Sequence, residues 1–164
     1  MVQMKYAGIG SRQTPVPIMD MMHNIAQVLG SAGVMLRSGS AIGADTAFET
    51  GAKAVNGPLE TFLALNSSRQ PHWFNHARRY HPVWDTLQRS AQQLHARNSA
   101  VMLGNKLDSP VDFVVCWTPG AQVQGGTGQA LRIAADYKIP VFNLFEPDAV
   151  YRMWAKFAEL SHNV

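Results

Sequence analysis

The chain is poor in cysteine, in charge and in long apolar runs. Its one cysteine, Cys116, cannot form a disulfide within the chain. Charged residues make up 15% of the sequence, against about a quarter in a typical protein, while hydrophobic residues make up 46%. This balance excludes a disordered chain. No apolar run approaches the ~20 residues of a membrane span, and residues 1–5 lack a signal-peptide core. We therefore expect a single cytoplasmic domain, residues 1–164, that does not associate with membranes.

Short apolar runs alternate with segments of helical periodicity along the chain. Strands are predicted at residues 5–10, 34–37, 61–65, 112–118 and 140–144. Helices are predicted at residues 18–29, 45–54, 83–94, 130–135 and 150–160, and residues 66–82 are predicted to be irregular. Alternating strands and helices are typical of a parallel sheet. The pattern predicts an α/β, Rossmann-like doubly wound fold, with a mostly parallel sheet and helices on both faces.

Three glycine-containing turns each follow a predicted strand and precede a predicted helix. In a parallel sheet all three turns lie at the carboxyl edge, where ligands bind. Helix N-termini behind the turns offer unpaired N–H groups to an anion, and hydroxyl groups and one guanidinium add further donors. The predicted ligand-binding residues are Gly8, Gly10, Ser11, Arg12, Ser38, Gly39, Ser40, Gly43, Gly125, Gly126, Thr127 and Gly128, with Trp117 at the end of its strand beside them.

The turns differ from the two best-known phosphate-binding motifs. The first turn lacks the third glycine of the dinucleotide fingerprint, and no Gly-Lys-Ser/Thr follows any of the turns. NAD binding and ATP hydrolysis are therefore poorly supported, and no cofactor is predicted. His72 and His76 have the spacing of metal ligands on a helix, but Pro71 and the lack of a clear third ligand argue against zinc, so no metal is predicted.

Two of these turns together resemble a known family. Gly8-Ile9-Gly10-Ser11-Arg12 and the segment Ser38-Gly39-Ser40-Ala41-Ile42-Gly43-Ala44-Asp45 are similar to the Rossmann domain of DNA-processing protein A (DprA/Smf), as is Ala96-Arg97-Asn98. Gly125-Gly126-Thr127-Gly128 resembles the glycine loop of the Lonely Guy (LOG) phosphoribohydrolases, the lysine-decarboxylase-like proteins. The resemblance, which spans about residues 6–144, implies a nucleotide-binding superfamily of Rossmann-like folds. LOG enzymes carry a catalytic glutamate after that loop, where this chain has Gln129–Arg132.

Two carboxylates could replace that glutamate. Asp45 and Glu49 are four residues apart, so they share a face of the second predicted helix near the expected phosphate. Cleavage of an N-glycosidic bond needs a carboxylate to stabilise the sugar cation and an acid for the leaving base. Asp45 and Glu49 are therefore the predicted catalytic residues. The alternative is structural, with Asp45 as a helix cap and Glu49 as a surface or ion-paired residue.

The segment 70–82 mixes aromatic, histidine and arginine side chains. Residues 66–97 hold five arginines against one acid. Aromatic rings can stack on bases while arginines contact phosphates, so the segment is predicted to be a lid or anion contact through Trp73, Arg78, Arg79 and Arg97. The alternatives are a loop whose aromatic residues anchor it to the core and an ordinary solvated surface.

Three functions remain open at this level. The first is a nucleotide-binding protein, with or without hydrolysis or transfer at the N-glycosidic bond. The second is a single-stranded DNA-binding module like the DprA core, and the third is a sensor that holds a signalling nucleotide without chemistry. The apolar face of the last helix predicts a homo-oligomer. The expected partner is a nucleotide or nucleotide-derived small molecule, with single-stranded DNA as the alternative.

Overall fold

A computed structural model describes residues 3–163 and contains a five-stranded, entirely parallel sheet. Its strand order is β3-β2-β1-β4-β5. The strands are β1 (Lys5–Gly8), β2 (Met35–Ser38), β3 (Leu59–Thr61), β4 (Phe113–Cys116) and β5 (Val141–Asn143). The helices are α1 (Val16–Ser31), α2 (Ala44–Ala54), α3 (Pro71–Arg78), α4 (Arg89–Leu103), α5 (Gly125–Asp136) and α6 (Ala149–His162). The prediction of a doubly wound α/β fold is confirmed.

Alternating side chains of the central strands pack into two separate hydrophobic clusters, one on each face of the sheet. On one face, Tyr6 stacks on Phe113 with ring centroids 5.6 Å apart, and α1, α2 and α6 cover them. On the other face, Ala7 and Val114 pack under α4 and α5. Strands buried on both faces carry continuous apolar runs, which is why β4 is recognisable from its sequence. Because both faces of the central strands are apolar, helices cover the sheet on both sides.

The strand order reverses between β1 and β4. From β1 the chain moves outward through β2 to the edge strand β3, and it then returns to lay β4 beside β1. The turns that follow β1 and β4 therefore flank a crevice at the carboxyl edge, which is the usual ligand site of open α/β sheets.

Several predicted boundaries were wrong. Strand β3 ends at Thr61 because its neighbour β2 ends at Ser38, the residue that pairs with Thr61. The segment predicted to be irregular contains α3, which begins at Pro71, a residue favoured at the first helical position. The helix predicted at residues 83–94 instead begins at Arg89 and runs to Leu103, where Gly104 with a φ of 82° ends it. Helix α5 begins at Gly125, before the predicted start at residue 130.

Candidate functional site

The three glycine turns meet at the carboxyl edge of the sheet. The Ser11 N–H donates to the Trp117 carbonyl across the crevice at 3.0 Å. Two neighbouring residues of α4 connect the other turns: Arg97 donates to the Gly39 carbonyl, and Asn98 Nδ2 donates to the Gly126 carbonyl at 3.2 Å. We call the surface formed by residues 8–12, 38–45 and 125–128 the glycine rim. All three turns therefore lie along the carboxyl edge, with the second and third joined through α4 and the first joined to the end of β4.

The first turn of the rim packs tightly against α2. A Cβ on Gly8 would lie 2.6 Å from the ring of Phe48, and a Cβ on Gly10 would overlap that of Ala44. Helix packing therefore explains both glycines without a ligand. Ser11 Oγ accepts the Gln13 N–H at 3.1 Å and shapes the turn. The Arg12 side chain is exposed, so it is free to contact an anion.

The second turn is held from inside by side chains. Ser38 is fully buried, and its Oγ accepts the N–H of Ser40 at 3.2 Å. Ser40 is exposed and has a φ of 57°, and Gly43 has a φ of 102°, so both residues lie in the left-handed region. Gly39 has no Cβ, and the Arg97 guanidinium occupies the space that a Cβ would need. These contacts support a backbone conformation before α2 in which Ser40 and Gly43 are left-handed.

The third turn is the first turn of α5 rather than a loop. Gly125 has a φ of 70°, and a Cβ on Gly125 or Gly126 would meet no atom within 4 Å. Gly128 instead packs on the backbone of Val123, which its Cβ would approach to 2.9 Å. The N–H groups of Gly125, Gly126 and Thr127 belong to the first helical turn, where helical hydrogen bonding leaves donors unpaired. Of the three turns, this one leaves the most backbone open to a ligand.

Asp45 and Glu49 lie beneath the second turn. Both are less than a tenth exposed. Asp45 Oδ2 accepts the Ala41 N–H at 3.1 Å, and Glu49 Oε1 accepts the Ser40 hydroxyl at 2.6 Å. Burial raises the pKa of Asp45 to about 6, against the opposing charge of Arg97. An acid of this kind is partly protonated near neutral pH and can serve as a proton donor.

The alternative roles predicted for these carboxylates, a helix cap for Asp45 and a surface or ion-paired position for Glu49, are only partly correct. Asp45 does not cap α2 by a side-chain hydrogen bond, because the helix begins after Gly43 and Asp45 bonds back to the turn instead. Glu49 has Lys53 one helical turn away, with 3.8 Å between Oε2 and Nζ. The Lys53 side chain is exposed, so this ion pair contributes little.

Arg97 was predicted to be a lid or anion contact, and the structure places it inside the protein. It is 7% exposed, and its guanidinium lies under the second turn on the Gly39 carbonyl. Burial lowers the pKa of Arg97, and the nearby Asp45 carboxylate opposes that shift. The side chain therefore supports the rim from below.

The other predicted lid residues belong to helix α3 and its end, which lies beside the C-terminal end of α5 because the Tyr80 hydroxyl donates to Asp136; the rim lies at the opposite end of α5. Trp73 is 3% exposed, and its Nε1–H donates to the Asn105 carbonyl at 2.9 Å. Arg78 forms an ion pair with Asp85 at 3.1 Å, and Arg79 is exposed at the end of α3. Helix α3 is held on the α4 face of the molecule, as the anchored-loop alternative expected.

Trp117 lies beside the rim but presents little surface to it. The side chain is 9% exposed and belongs to the hydrophobic cluster under α1, α2 and α6. Its ring centroid is 6.3 Å from that of Phe145. Trp117 therefore contacts the rim through its backbone carbonyl, which accepts the Ser11 N–H, and not through its ring.

Two features of the site were missed by sequence reasoning. Asn98 joins α4 to the third turn, and only the Arg97-Asn98 pair in the family resemblance pointed to it. A cavity of about 370 Å³ beside strand β3 is lined in part by Asn66, Arg69 and Gln70. These residues lie in the segment predicted to be irregular, and isolated carboxamides carry no sequence signal.

Among residues 3–163, no group of three or more His, Cys, Asp or Glu side chains is arranged to hold a metal ion. Over the same residues, none of the helices combines the length and the apolar character that crossing a bilayer requires. Cys116 is buried in β4, and burial raises the pKa of its thiol. No family model matches the chain, and neither a curated protein nor a solved structure shows significant similarity to it.

Proposed function

We propose that the glycine rim binds the phosphate of a nucleotide. The observation that carries the proposal is the convergence of three turns and two helix N-termini, those of α2 and α5, on one carboxyl edge. Each N-terminus carries about half a positive charge and unpaired N–H donors. The exposed guanidinium of Arg12 adds a full charge and a fork of donors that matches phosphate geometry.

The proposal is tested by comparing two exposed arginines. We expect Arg12→Ala to weaken binding of a nucleoside monophosphate by about tenfold or more, because a charge-assisted hydrogen bond is worth about 1.5–3 kcal/mol. Arg79→Ala removes the same charge from the end of α3, away from the rim, and is expected to leave the affinity unchanged. Isothermal titration calorimetry with the four common monophosphates measures both. Equal losses in the two variants, or wild-type protein that binds none of the four, would contradict the proposal.

A second function, hydrolysis of the N-glycosidic bond, is favoured by the acid–carboxylate pair under the second turn. Asp45, with its raised pKa, would protonate the leaving base as the C1′–N bond breaks and its electron pair passes to the base. Glu49 would stabilise the sugar cation and take a proton from the attacking water, giving a free base and a sugar phosphate. The Ser40 hydroxyl must turn away from Glu49 for the sugar to reach it.

Product analysis separates hydrolysis from binding alone. We expect Glu49→Gln to abolish release of free base, measured by chromatography, while binding of the monophosphate changes by less than about threefold. Glu159→Gln, an exposed glutamate on α6, serves as the control. Base release by Glu49→Gln at the wild-type rate would eliminate Glu49 as a catalytic residue. Binding without product in wild-type protein would identify a sensor.

The nucleic-acid alternative has less support from the fold. The five arginines of residues 66–97 do not form one surface: Arg97 is buried, Arg78 is paired with Asp85, and the guanidinium of Arg89 lies over the Phe74 ring at 4.1 Å. A backbone-tracking surface would show affinity for an oligonucleotide that falls steeply with salt. We expect weak binding of this kind compared with that of a mononucleotide.

A further inference from the structure

The cavity beside strand β3 is linked to the second turn of the glycine rim through the pairing of β3 with β2. Its wall includes Thr61, which is paired in register with Ser38, the first residue of the second turn. The Phe62 N–H, from the next residue of the wall, donates to the Ser38 carbonyl at 2.9 Å. Neighbouring strands are about 4.8 Å apart, so the Thr61 wall of the cavity lies one strand spacing from the second turn of the rim. A mononucleotide is long enough to bridge that separation.

The lining of this cavity combines residues that carry carboxamides with a smaller apolar part. Asn66, Gln70 and Asn105 contribute polar groups, and Phe62 and Leu63 contribute apolar surface. A carboxamide side chain offers both donors and an acceptor, which matches the mixed pattern on the edge of a nucleobase. The volume of about 370 Å³ lies within the range of small-molecule sites.

One charged side chain, Arg69, completes the cavity. It is exposed at the end of a 3₁₀ turn, Ala64–Arg69, that packs along α4. A guanidinium plane stacks on bases as readily as it contacts phosphate. Trp73 also lines the cavity, and its indole N–H donates to the Asn105 carbonyl.

We infer that this cavity holds the base of the nucleotide whose phosphate lies on the rim. The inference rests on the proposed phosphate site and adds the part of the ligand that the rim leaves unassigned. Asn66 and Gln70 read the polar edge of the base, and Arg69 covers one of its faces. The cavity, rather than Trp117, then determines which base is preferred, because Trp117 presents little surface to the rim.

The test separates the base from the phosphate. Calorimetry measures the affinity of the preferred nucleoside monophosphate and of ribose 5-phosphate for wild-type protein and for Asn66→Ala, Gln70→Ala and Arg69→Ala. Each carboxamide variant is expected to bind the monophosphate about three- to tenfold more weakly, since a neutral hydrogen bond contributes about 0.5–1.5 kcal/mol. Affinity for ribose 5-phosphate should stay the same in all of them. Asn75→Ala, an exposed carboxamide of α3 outside the cavity, is the matched control.

Each outcome decides a separate point. Wild-type affinity for the monophosphate in all three cavity variants, together with its loss in Arg12→Ala, would overturn the base site and leave the phosphate site standing. Equal losses for the monophosphate and for ribose 5-phosphate in Arg69→Ala would also overturn the base site, because Arg69 would then contact the phosphate and not the base. Wild-type protein that binds neither compound would overturn both proposals. Photo-crosslinking with the azido derivative of the bound nucleotide should label a peptide within residues 61–73 or a peptide that contains Asn105, and labelling elsewhere would contradict the inference.

Discussion

The second and third glycine turns both lead into a helix, but their backbones have different surroundings. Both precede a helix, and both contain a glycine at positive φ, Gly43 or Gly125. In the second turn Arg97 and Asp45 hydrogen-bond to the backbone, Glu49 accepts the Ser40 hydroxyl, and the Arg97 guanidinium fills the space that a Cβ on Gly39 would need. In the third turn a Cβ on Gly126 would meet nothing. The comparison shows that some rim glycines are required by internal packing, while others leave room for a molecule from outside.

The largest effect is expected at the second turn. Gly39→Ala places a Cβ on the Arg97 guanidinium, which must then leave the Gly39 carbonyl and remain buried without that partner. We expect the free energy of unfolding to fall by about 2–4 kcal/mol, measured by urea denaturation. A loss below about 0.5 kcal/mol, the level of an ordinary surface substitution, would contradict the expectation, because Arg97 could then move aside at little cost.

A smaller, pH-dependent effect is expected at Asp45. Its pKa is raised by burial to about 6 in the folded protein from an ordinary value of 3.8, so the folded state binds the proton more tightly than the unfolded state. The contribution of this group to stability is therefore most favourable at low pH and is lost as the pH rises through the range 4 to 6.

Asp45→Asn isolates this contribution. The amide oxygen can still accept the Ala41 N–H, but the group no longer ionises. We expect the variant to gain on the order of 1–3 kcal/mol relative to wild type between pH 4 and pH 7, from urea denaturation at a series of pH values. Asp20→Asn, an exposed aspartate of α1, is the control. A constant difference between Asp45→Asn and wild type across this range would show that the Asp45 pKa is not raised.

The smallest effect is expected at the open turn. Gly126→Ala places a methyl group in free space on the first turn of α5, so the free energy of unfolding should change by no more than about 1 kcal/mol, in the stabilising direction. Affinity for a nucleoside monophosphate should nevertheless fall, because the methyl group occupies the approach to the amide. A variant that unfolds as readily as Gly39→Ala would remove the distinction between the two turns.

The sheet was predictable because burial leaves a strong pattern in sequence. The run from Phe113 to Cys116 is apolar throughout because it is covered on both faces. The support of the rim was not predictable, because the sequence does not indicate that the missing Cβ of Gly39 makes room for Arg97, 58 residues away. Trp73 was assigned to a lid for the same reason: an aromatic residue in a polar segment has the same appearance whether it faces a ligand or the core.

The most direct test of the account follows backbone amide signals by NMR while a nucleoside monophosphate is added. If the rim binds phosphate, the signals of Gly10, Gly43 and Gly126, one from each turn, shift together with a single affinity, and that of Gly57, in the turn after α2, does not move. Shifts confined to residues outside the rim, or shifts in one turn alone, would contradict the central claim that the three turns form one anion site.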